Sequence, residues 1–489
     1  MDEIFSVTFA NLPPLDLLIA VLRFDVHPPL YYQQLSAWSL AGHSDRWLIL
    51  NSVAWSIATM LGVYVGTARK FGTGAGLLAL CICAVMGSEI YFAGEVRMYS
   101  MMSCLTVWGW VLADRLQDDY RLKAGLPLLV LLVALSMLHG LSLIAVSAVL
   151  VYALPWGEVQ WRRLMPTWLK LAAIALTALA PWLALGAVKK VPHPEGFSLP
   201  LLEQSLAGWL LGFGNARLPG WALPVAAVAV TMLVCLAVAS RQQPRLARIA
   251  ASFIVWPLLL GTALCLLVRP IWLADRTFAF CAPFVAVVAG ALLSRALAMG
   301  AAVRVSSSFA ATVVLAALAW TGYAQAVTAH KMQYRELADY LREQVVPSEF
   351  VYVPEMSMFW GVARYLVGPD WGNLLRVQDP RDVNRFASWK RIYDRLGAER
   401  LKTLHLVPET RRLEGFRAPL IIGWSPFPEL YATPSYWVVT STGVDLADLN
   451  LCSPRHTESV PFGRQVDLSN YIGLVAYRVH CGAAAGGDM

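Results

Sequence analysis

The stretch Phe24-Asp25-Val26-His27-Pro28-Pro29-Leu30-Tyr31-Tyr32 sets an acid and an imidazole two residues apart, directly before a Pro-Pro pair. The prolines fix their own φ angles and restrict the residue before them, so the backbone next to the imidazole is constrained. Two tyrosines and an amphipathic run to Gly42 follow. The pattern fits either a capped loop leading into a membrane-surface helix or a polar site, and the rest of the chain decides between them.

Composition places the chain among membrane proteins. Of its 489 residues, 57% are hydrophobic and only 15% are charged, whereas a soluble domain carries about a quarter charged residues. The net charge of +7 comes from basic residues spread over short loops. Such a distribution is typical of helix anchoring at an anionic leaflet and not of a nucleic-acid partner. We therefore expect a polytopic α-helical membrane protein with no nucleic acid bound.

About ten apolar runs have lengths near that of a membrane span. They cover residues 46–67, 73–92, 98–116, 124–138, 140–155, 166–188, 219–240, 248–268, 277–297 and 304–327. The two runs within 124–155 are short, which predicts two tilted or partly buried helices meeting at His139-Gly140.

The pattern changes near residue 330. The sequence predicts a helix over 332–346, strands at 350–353, 418–423 and 436–440, and a further helix over 359–366. We divide the chain into an outer-face segment with the catalytic motif (1–45), a transmembrane domain (46–329) and a soluble extracytoplasmic α/β domain (330–489). Cys452 and Cys481 could form a disulfide in an oxidising compartment.

Loop charges predict the orientation. The loops rich in Arg and Lys alternate along the chain and are assigned to the cytoplasm: 69–70, 115–123, 161–163, 241–248 and 295–304. The outer face then receives residues 1–45, 94–97, 139, 189–218, 269–276 and everything after 328. The acids and cations of these segments should therefore share one face.

Several cations on that face oppose the positive-inside trend: Arg97, Lys189, Arg269 and Arg276. An anion would explain them, and an Arg fork binds phosphate in a bidentate way. Simple interfacial anchoring remains the alternative.

His139 taken alone is typical of a helix-terminus histidine. Residues 189–214 carry helix breakers and are interpreted as a flexible cover over a lipid groove or as a purely structural loop.

Four motifs carry a resemblance: D-x-HPPLYY at 25–32, E-x-RMYS at 95–100, LHG at 138–140 and DRTFAFCAPF at 275–284. Together they resemble the polyprenyl-phosphate-dependent glycosyltransferases of the C-type (GT-C) membrane fold. The similarity is greatest to bacterial relatives of the protein O-mannosyltransferases and of the lipid A aminoarabinose transferase. It covers residues 1–327. The resemblance implies inverting transfer of one sugar from a polyprenyl-phosphate donor to a lipid, glycan or protein acceptor, at the outer face of the bacterial inner membrane.

One departure from the family concerns the start of the chain. Family members begin with a transmembrane helix whose outer end delivers an Asp-Glu pair into the first outer loop. Here Asp2-Glu3 directly follows Met1, so the first helix is expected to be missing and the natural start to lie upstream. Asp2-Glu3 resembles the catalytic pair, with a frayed acidic terminus as the alternative.

The expected chemistry assigns Asp2 as general base, with Asp25 second and Glu3 beside it. Cations stabilise the departing phosphate. The substrate-binding residues are then His27, Tyr31, Glu95, Arg97, Tyr99, His139, Lys189, Arg269 and Arg276. A divalent metal held by Asp2, Asp25 and Glu95 is open, but the sequence has no dedicated ligand spacing. A lipid-linked sugar transporter or flippase is less favoured because the charges gather at one mouth without a repeat. A glycan polymerase is the nearest rival.

Overall fold

The structure is a computed structural model. It describes residues 2–24, 27–118, 122–155, 158–188, 196–213, 220–240, 243–268, 270–272, 276–327, 333–346, 348–349, 351–353, 361–362, 364–366, 420–422, 434–441, 454–462 and 474–481. The chain divides into two compact units. The larger unit is Asp25–Thr328, and the smaller unit combines Met1–Phe24 with Ala329–Met489.

Seventeen α-helices occur in the described residues. They are α1 (Asp2–Ala10), α2 (Pro14–Phe24), α3 (Leu30–Ser39), α4 (Asp45–Phe71), α5 (Thr73–Val85), α6 (Gly87–Ala93), α7 (Tyr99–Asp118), α8 (Leu122–Ser136), α9 (Ser142–Ala153), α10 (Glu158–Val188), α11 (Leu199–Leu211), α12 (Ala222–Ala239), α13 (Pro244–Ala250), α14 (Trp256–Leu267), α15 (Ala282–Leu297), α16 (Ala301–Val327) and α17 (Tyr334–Gln344). A π-helical turn, Ala251–Val255, joins α13 to α14, and a 3₁₀ turn, Ala279–Cys281, precedes α15.

Six helical segments of the described chain are long and apolar enough to cross a membrane. They are Asp45–Phe71, Leu164–Leu185, Ala222–Ala239, Pro244–Leu267, Ala279–Leu297 and Ala301–Ala324. The pair α5–α6, bent by 61°, would be a seventh. All ten predicted runs contain helix, but ten spans are not confirmed. Helix α7 carries Asp114 and Arg115, and α8 and α9 have only 15 and 12 residues.

The short helix pair predicted within 124–155 is present. Helices α8 and α9 are separated by the turn that carries His139 and Gly140. The backbone N–H of Leu30, at the start of α3, donates to the carbonyl of Met137 at 3.2 Å. This bond fixes the Pro28-Pro29 segment against the α8–α9 turn.

A buried ionic network joins α4, α7, α9 and α13. Lys70 in α4 lies 2.7 Å from Asp114 in α7, and the Tyr152 hydroxyl of α9 donates to the same carboxylate at 3.0 Å. Arg248 of α13 donates to Gln117 Oε1 at 3.1 Å and also to the Tyr152 carbonyl. The sequence assigned Lys70 and Arg248 only to cytoplasmic loops, so this network was not foreseen.

The prediction of a loop over 189–214 is wrong for α11. Ser198 caps this helix, since its Oγ accepts from the Leu201 N–H, and Pro200 occupies the first turn. Trp209 is fully buried, and its carbonyl accepts from the Ser88 hydroxyl at 2.7 Å. Packing against α6 therefore outweighs the breakers upstream, of which Pro192 and Pro194 lie outside the described residues.

The smaller unit contains a five-stranded mixed sheet with the order β2-β1-β3-β5-β4. The strands are β1 (Val351–Val353), β2 (Leu420–Ile422), β3 (Ser435–Ser441), β4 (Pro454–Phe462) and β5 (Leu474–Cys481). Strand β1 runs parallel to β2 and β3, whereas β3, β5 and β4 pair antiparallel. The predictions of α17, β1, β2 and β3 are confirmed. Cys452 and the Cys481 side chain lie outside the described residues, so the disulfide stays a prediction.

One carboxylate ties the segment between α17 and β1 to this sheet. Glu349, 2% exposed, accepts from the Ser435 hydroxyl at 2.7 Å, the Trp437 indole at 3.1 Å and Arg478 Nη2 at 2.9 Å. Burial alone raises the pKa of Glu349, but the bonds from Ser435, the Val346 N–H and Arg478 outweigh it and lower the pKa below its ordinary value. The carboxylate is therefore charged at neutral pH.

Candidate functional site

Two imidazoles meet where α3 begins. His27 precedes Pro28-Pro29 and is half-buried, while His139 lies in the α8–α9 turn and is 9% exposed. Their ring centroids are 4.7 Å apart with planes tilted by 57°. The Leu30–Met137 backbone bond holds the two segments in this position. A contact between residues so distant in sequence creates a shared imidazole surface inside the larger unit.

The backbone selects the tautomer of His139. Its Nδ1 accepts from the Leu141 N–H at 2.9 Å, and its own backbone N–H donates to Ser142 Oγ at 3.2 Å. Because Nδ1 acts as an acceptor, the ring proton of the neutral form resides on Nε2. His139 therefore offers an N–H donor from Nε2.

Aromatic rings extend the site from the histidines toward α11. The centroid of the Tyr99 ring lies 5.9 Å from that of His139 and 5.2 Å from that of Phe92. Phe213, which follows α11, lies 5.8 Å from Phe92. We call this set the aromatic row: His27, His139, Tyr99, Phe92 and Phe213. Its five residues come from five segments of the larger unit, and each ring centroid lies within 6 Å of the next.

The loop between α6 and α7 carries a buried cation two residues before Tyr99 of the aromatic row. Arg97 is 5% exposed, and its backbone N–H donates to the Glu95 carbonyl at 2.8 Å. The Ser52 hydroxyl of α4 donates to the same carbonyl. Tyr99 begins α7 two residues further on. A buried guanidinium requires anionic or hydrogen-bonding partners, and its fork suits a phosphate.

The remaining predicted residues lie in other elements of the two units. Tyr31 is fully buried in α3, with its ring 6.0 Å from Tyr32. Arg276 is half-buried just before the 3₁₀ turn, and Glu3 is half-buried in α1 of the smaller unit. Four predicted side chains lie outside the described residues: Asp2, Asp25, Lys189 and Arg269. Their roles stay predictions.

A metal centre is not visible among the described residues, which contain no group of three or more His, Cys, Asp or Glu side chains placed to hold a metal ion. Two of the three acids considered for such a site, Asp2 and Asp25, have side chains outside that part of the chain. Metal dependence therefore stays open.

Sequence reasoning missed Glu89. This carboxyl is 3% exposed in α6, shortly after the bend that follows Val85. Gly87 lets α6 touch α11, because a Cβ there would lie 2.2 Å from the Leu211 backbone. A lone acid within the apolar run 73–92 was the available signal, since ionisable residues inside a membrane segment are costly.

Comparisons with known proteins concern the fold. No protein-family model matches the sequence, and no curated protein matches it. The apo crystal structure of ArnT from Cupriavidus metallidurans superposes with a TM-score of 0.57 at 13% identity, covering 100% of this chain and 93% of that chain. The chain has the fold of the C-type membrane glycosyltransferases.

A second structure of the same protein, ArnT bound to undecaprenyl phosphate, superposes with a TM-score of 0.51 at 13% identity and covers 93% of this chain and 88% of that one. An oligosaccharyltransferase from Archaeoglobus fulgidus gives a TM-score of 0.43 at 12% identity over 70% of this chain and 53% of that one. At 13% identity the two ArnT structures show a common fold and leave the chemistry to the site.

Proposed function

We propose that this chain is an inverting membrane glycosyltransferase. It moves a single sugar from a polyprenyl-phosphate donor to a lipid, glycan or protein acceptor at the outer face of the bacterial inner membrane. The observation that carries the proposal is the His27–His139 pair beside Tyr99, in a fold shared with an undecaprenyl-phosphate-bound protein, with the buried Arg97 two residues before Tyr99 in the chain.

The depth of this site supports a lipid donor. Tyr99 and Asp114 lie 15 residues apart on α7, or about 22 Å at 1.5 Å per residue. The ionic network around Asp114 thus sits most of a hydrocarbon thickness (~30 Å) from the aromatic row. A phosphate at the row would lie near one membrane interface, with its polyprenyl chain alongside the helices.

The reaction breaks the bond between the sugar C1 and the phosphate oxygen and forms a bond from C1 to the acceptor oxygen or nitrogen. The electron pair of the broken bond leaves with polyprenyl phosphate. We assign the stabilisation of that charge to Arg97 and to the Nε2–H of His139, and also to Arg276 and His27. The acceptor proton passes to a carboxylate on the opposite face of the sugar, for which Asp2 is the first choice and Asp25 the second. Single displacement inverts C1.

The test is a single-turnover assay of the purified protein in lipid, with undecaprenyl phosphate carrying glucose, mannose, arabinose or aminoarabinose. Mass spectrometry measures the undecaprenyl phosphate released. Arg97→Met keeps the length of the side chain and removes its charge. We expect it to slow release at least a hundredfold, since a charge-stabilising donor is worth about 10²–10³ in rate. Arg295→Met, at an exposed position of α15, is the matched control and should leave the rate unchanged.

Equal rates for wild type and Arg97→Met would remove Arg97 from the phosphate site. If the folded protein released no undecaprenyl phosphate from any donor, the transferase proposal would fail. Movement of intact lipid-linked sugar across vesicles would then favour a flippase. Chain extension from a lipid diphosphate would favour a polymerase.

A further inference from the structure

Helices α3 and α4 are locked together by two tryptophans. The Trp38 indole N–H donates to the Trp47 carbonyl at 2.9 Å, and the Trp47 indole N–H donates to the Trp38 carbonyl at 3.1 Å. Their rings stack with centroids 5.0 Å apart. This reciprocal contact, which we call the indole clamp, fixes the corner between the helices.

Two amide side chains flank the corner, and the oxygen of each accepts no hydrogen bond from the described chain. Gln34 precedes Trp38 by four residues on α3, and Asn51 follows Trp47 by four on α4, so each shares the helix face of its clamp indole. Gln34 Oε1 and Asn51 Oδ1 are both buried, and no hydrogen-bond donor of the described chain reaches either oxygen. Asn51 is only 1% exposed. An unsatisfied buried oxygen costs about 1–3 kcal/mol, so one at each side of a rigid corner calls for an explanation.

The corner adjoins the candidate site on both sides. Gln34 lies one turn beyond Leu30, whose N–H binds Met137 next to the His139 turn. Asn51 precedes Ser52, whose hydroxyl binds the Glu95 carbonyl in the loop that carries Arg97. Both residues therefore lie within one helical turn of a residue that is bonded to the candidate site, Leu30 on one side and Ser52 on the other.

The chemistry of the corner selects the ligand. Both unsatisfied atoms are acceptors, so a ligand must bring donors. A phosphate diester brings only acceptors, and a polyprenyl chain brings neither. Hydroxyl and amino groups of a sugar are donors. We propose that Gln34 and Asn51 bind hydroxyl or amino groups of the transferred sugar, and thereby set which sugar the enzyme accepts. This inference rests on the proposed function.

A trapped water would also satisfy the two oxygens, and the two cases predict different binding data. We would measure equilibrium binding of two probes in nanodiscs: bare undecaprenyl phosphate, and undecaprenyl phosphate carrying glucose, mannose, arabinose or aminoarabinose. The variants are Asn51→Leu and Gln34→Met, which keep volume and remove the amide. Gln33→Met, at an exposed position of α3, is the control.

We expect each variant to weaken binding of the best-bound sugar-carrying lipid about 10-fold to 100-fold, as expected when a ligand's hydroxyl or amino groups lose their acceptors inside the site. Binding of bare undecaprenyl phosphate should change less than twofold, and so should both affinities in Gln33→Met. The melting temperature of Asn51→Leu should be equal to or above that of wild type, because an unsatisfied oxygen is removed.

If both variants bound the sugar-carrying lipid as wild type does, the two oxygens would be satisfied by a water alone, and the inference would be overturned. An equal loss for both probes would also overturn it, since that result reports general damage to the lipid site. A wild-type protein that binds neither probe contradicts the proposed function itself. A wild type that binds bare undecaprenyl phosphate, but gains nothing from any sugar, contradicts only the role of the corner.

Discussion

At His139 a single backbone N–H determines what the ring can do. Asparagine can present Oδ1 where histidine presents Nδ1, so His139→Asn should keep the bond from the Leu141 N–H while removing Nε2. We expect it to melt within a few degrees of wild type and to bind undecaprenyl phosphate about tenfold more weakly. Alanine at the same position removes the acceptor as well and should also cost about 1–3 kcal/mol of stability.

Thermal unfolding and lipid binding, measured side by side, separate these effects. Equal lipid affinities for wild type and His139→Asn would show that the ring serves only the turn between α8 and α9. A large loss of stability in His139→Asn would instead mean that contact with His27 is needed for folding.

Glu349 gives the smaller unit a pH dependence. Its folded-state pKa lies below the ordinary value of about 4.3. Its stabilising contribution is therefore complete above that ordinary value and is lost as the pH falls through the lower folded-state pKa. Glu349→Gln should destabilise the unit by about 1.5–3 kcal/mol at pH 7, the usual value of hydrogen bonds to a charged group. The difference from wild type should shrink as the pH falls below about 4.

Amide hydrogen exchange of β3 and β5 in the intact protein measures this effect locally. Glu343→Gln, an exposed position on α17, is the matched control and should exchange like wild type. A gap between Glu349→Gln and wild type that persisted unchanged at low pH would show that the charge of Glu349 is not the stabilising feature.

Among the elements, α6 and α11 approach so closely that only glycine fits. A Cβ at Gly87 would lie 2.2 Å from the Leu211 backbone, and backbone cannot move aside as a side chain can. Gly87→Ala should separate the helices, cost about 1–3 kcal/mol as overpacking does, and pull Phe213 away from Phe92. Gly94→Ala, where the nearest atom would be 3.4 Å away, should be tolerated.

Differential scanning fluorimetry and the single-turnover assay would test this pair of variants. We expect Gly87→Ala to lower both the melting temperature and the rate of release, and Gly94→Ala to change neither. Wild-type behaviour of Gly87→Ala would mean that α6 and α11 shift apart without any effect on the aromatic row.

Sequence reasoning succeeded where a period or a local signal exists. Apolar length located the helices, and the break at His139-Gly140 located the α8–α9 turn. It failed at β4, because Pro454, Pro461 and alternating polar residues match an edge strand only once its partner is known. Contacts such as Lys70 with Asp114 join residues far apart in sequence, so spacing could not supply them. Loop charges could assign His27 and His139 to the same face of the membrane, but they could not predict that the two rings are in contact.

For the molecule as a whole, the open quantity is how many helices cross the membrane. Six or seven segments of the described chain have the length and hydropathy of spans, whereas the apolar runs of the sequence predict about ten. If only α8 and α9 failed to cross, eight crossings would remain, and the end of α16 would face the same side as with ten because two crossings are removed together. A reporter after Val327 therefore cannot separate the two topologies, and one at the α8–α9 turn can.

Truncations fused to alkaline phosphatase or to green fluorescent protein after Gly72, Gly140, Met299 and Val327 would resolve the topology. We expect fluorescence inside after Gly72 and Met299, and phosphatase activity outside after Gly140 and Val327. A cytoplasmic signal after Gly140 would put the His139 turn on the inner side and overturn the outer-face assignment of the histidine pair. An external signal there, combined with a cytoplasmic signal from a further fusion after Asp118, would require α7 and α8 to cross despite the charges of α7. Helix α7 can cross the membrane with Asp114 because this carboxylate is paired with Lys70 and hydrogen-bonded to Tyr152. Such a carboxylate costs far less free energy within a helix bundle than an unpaired one that faces lipid.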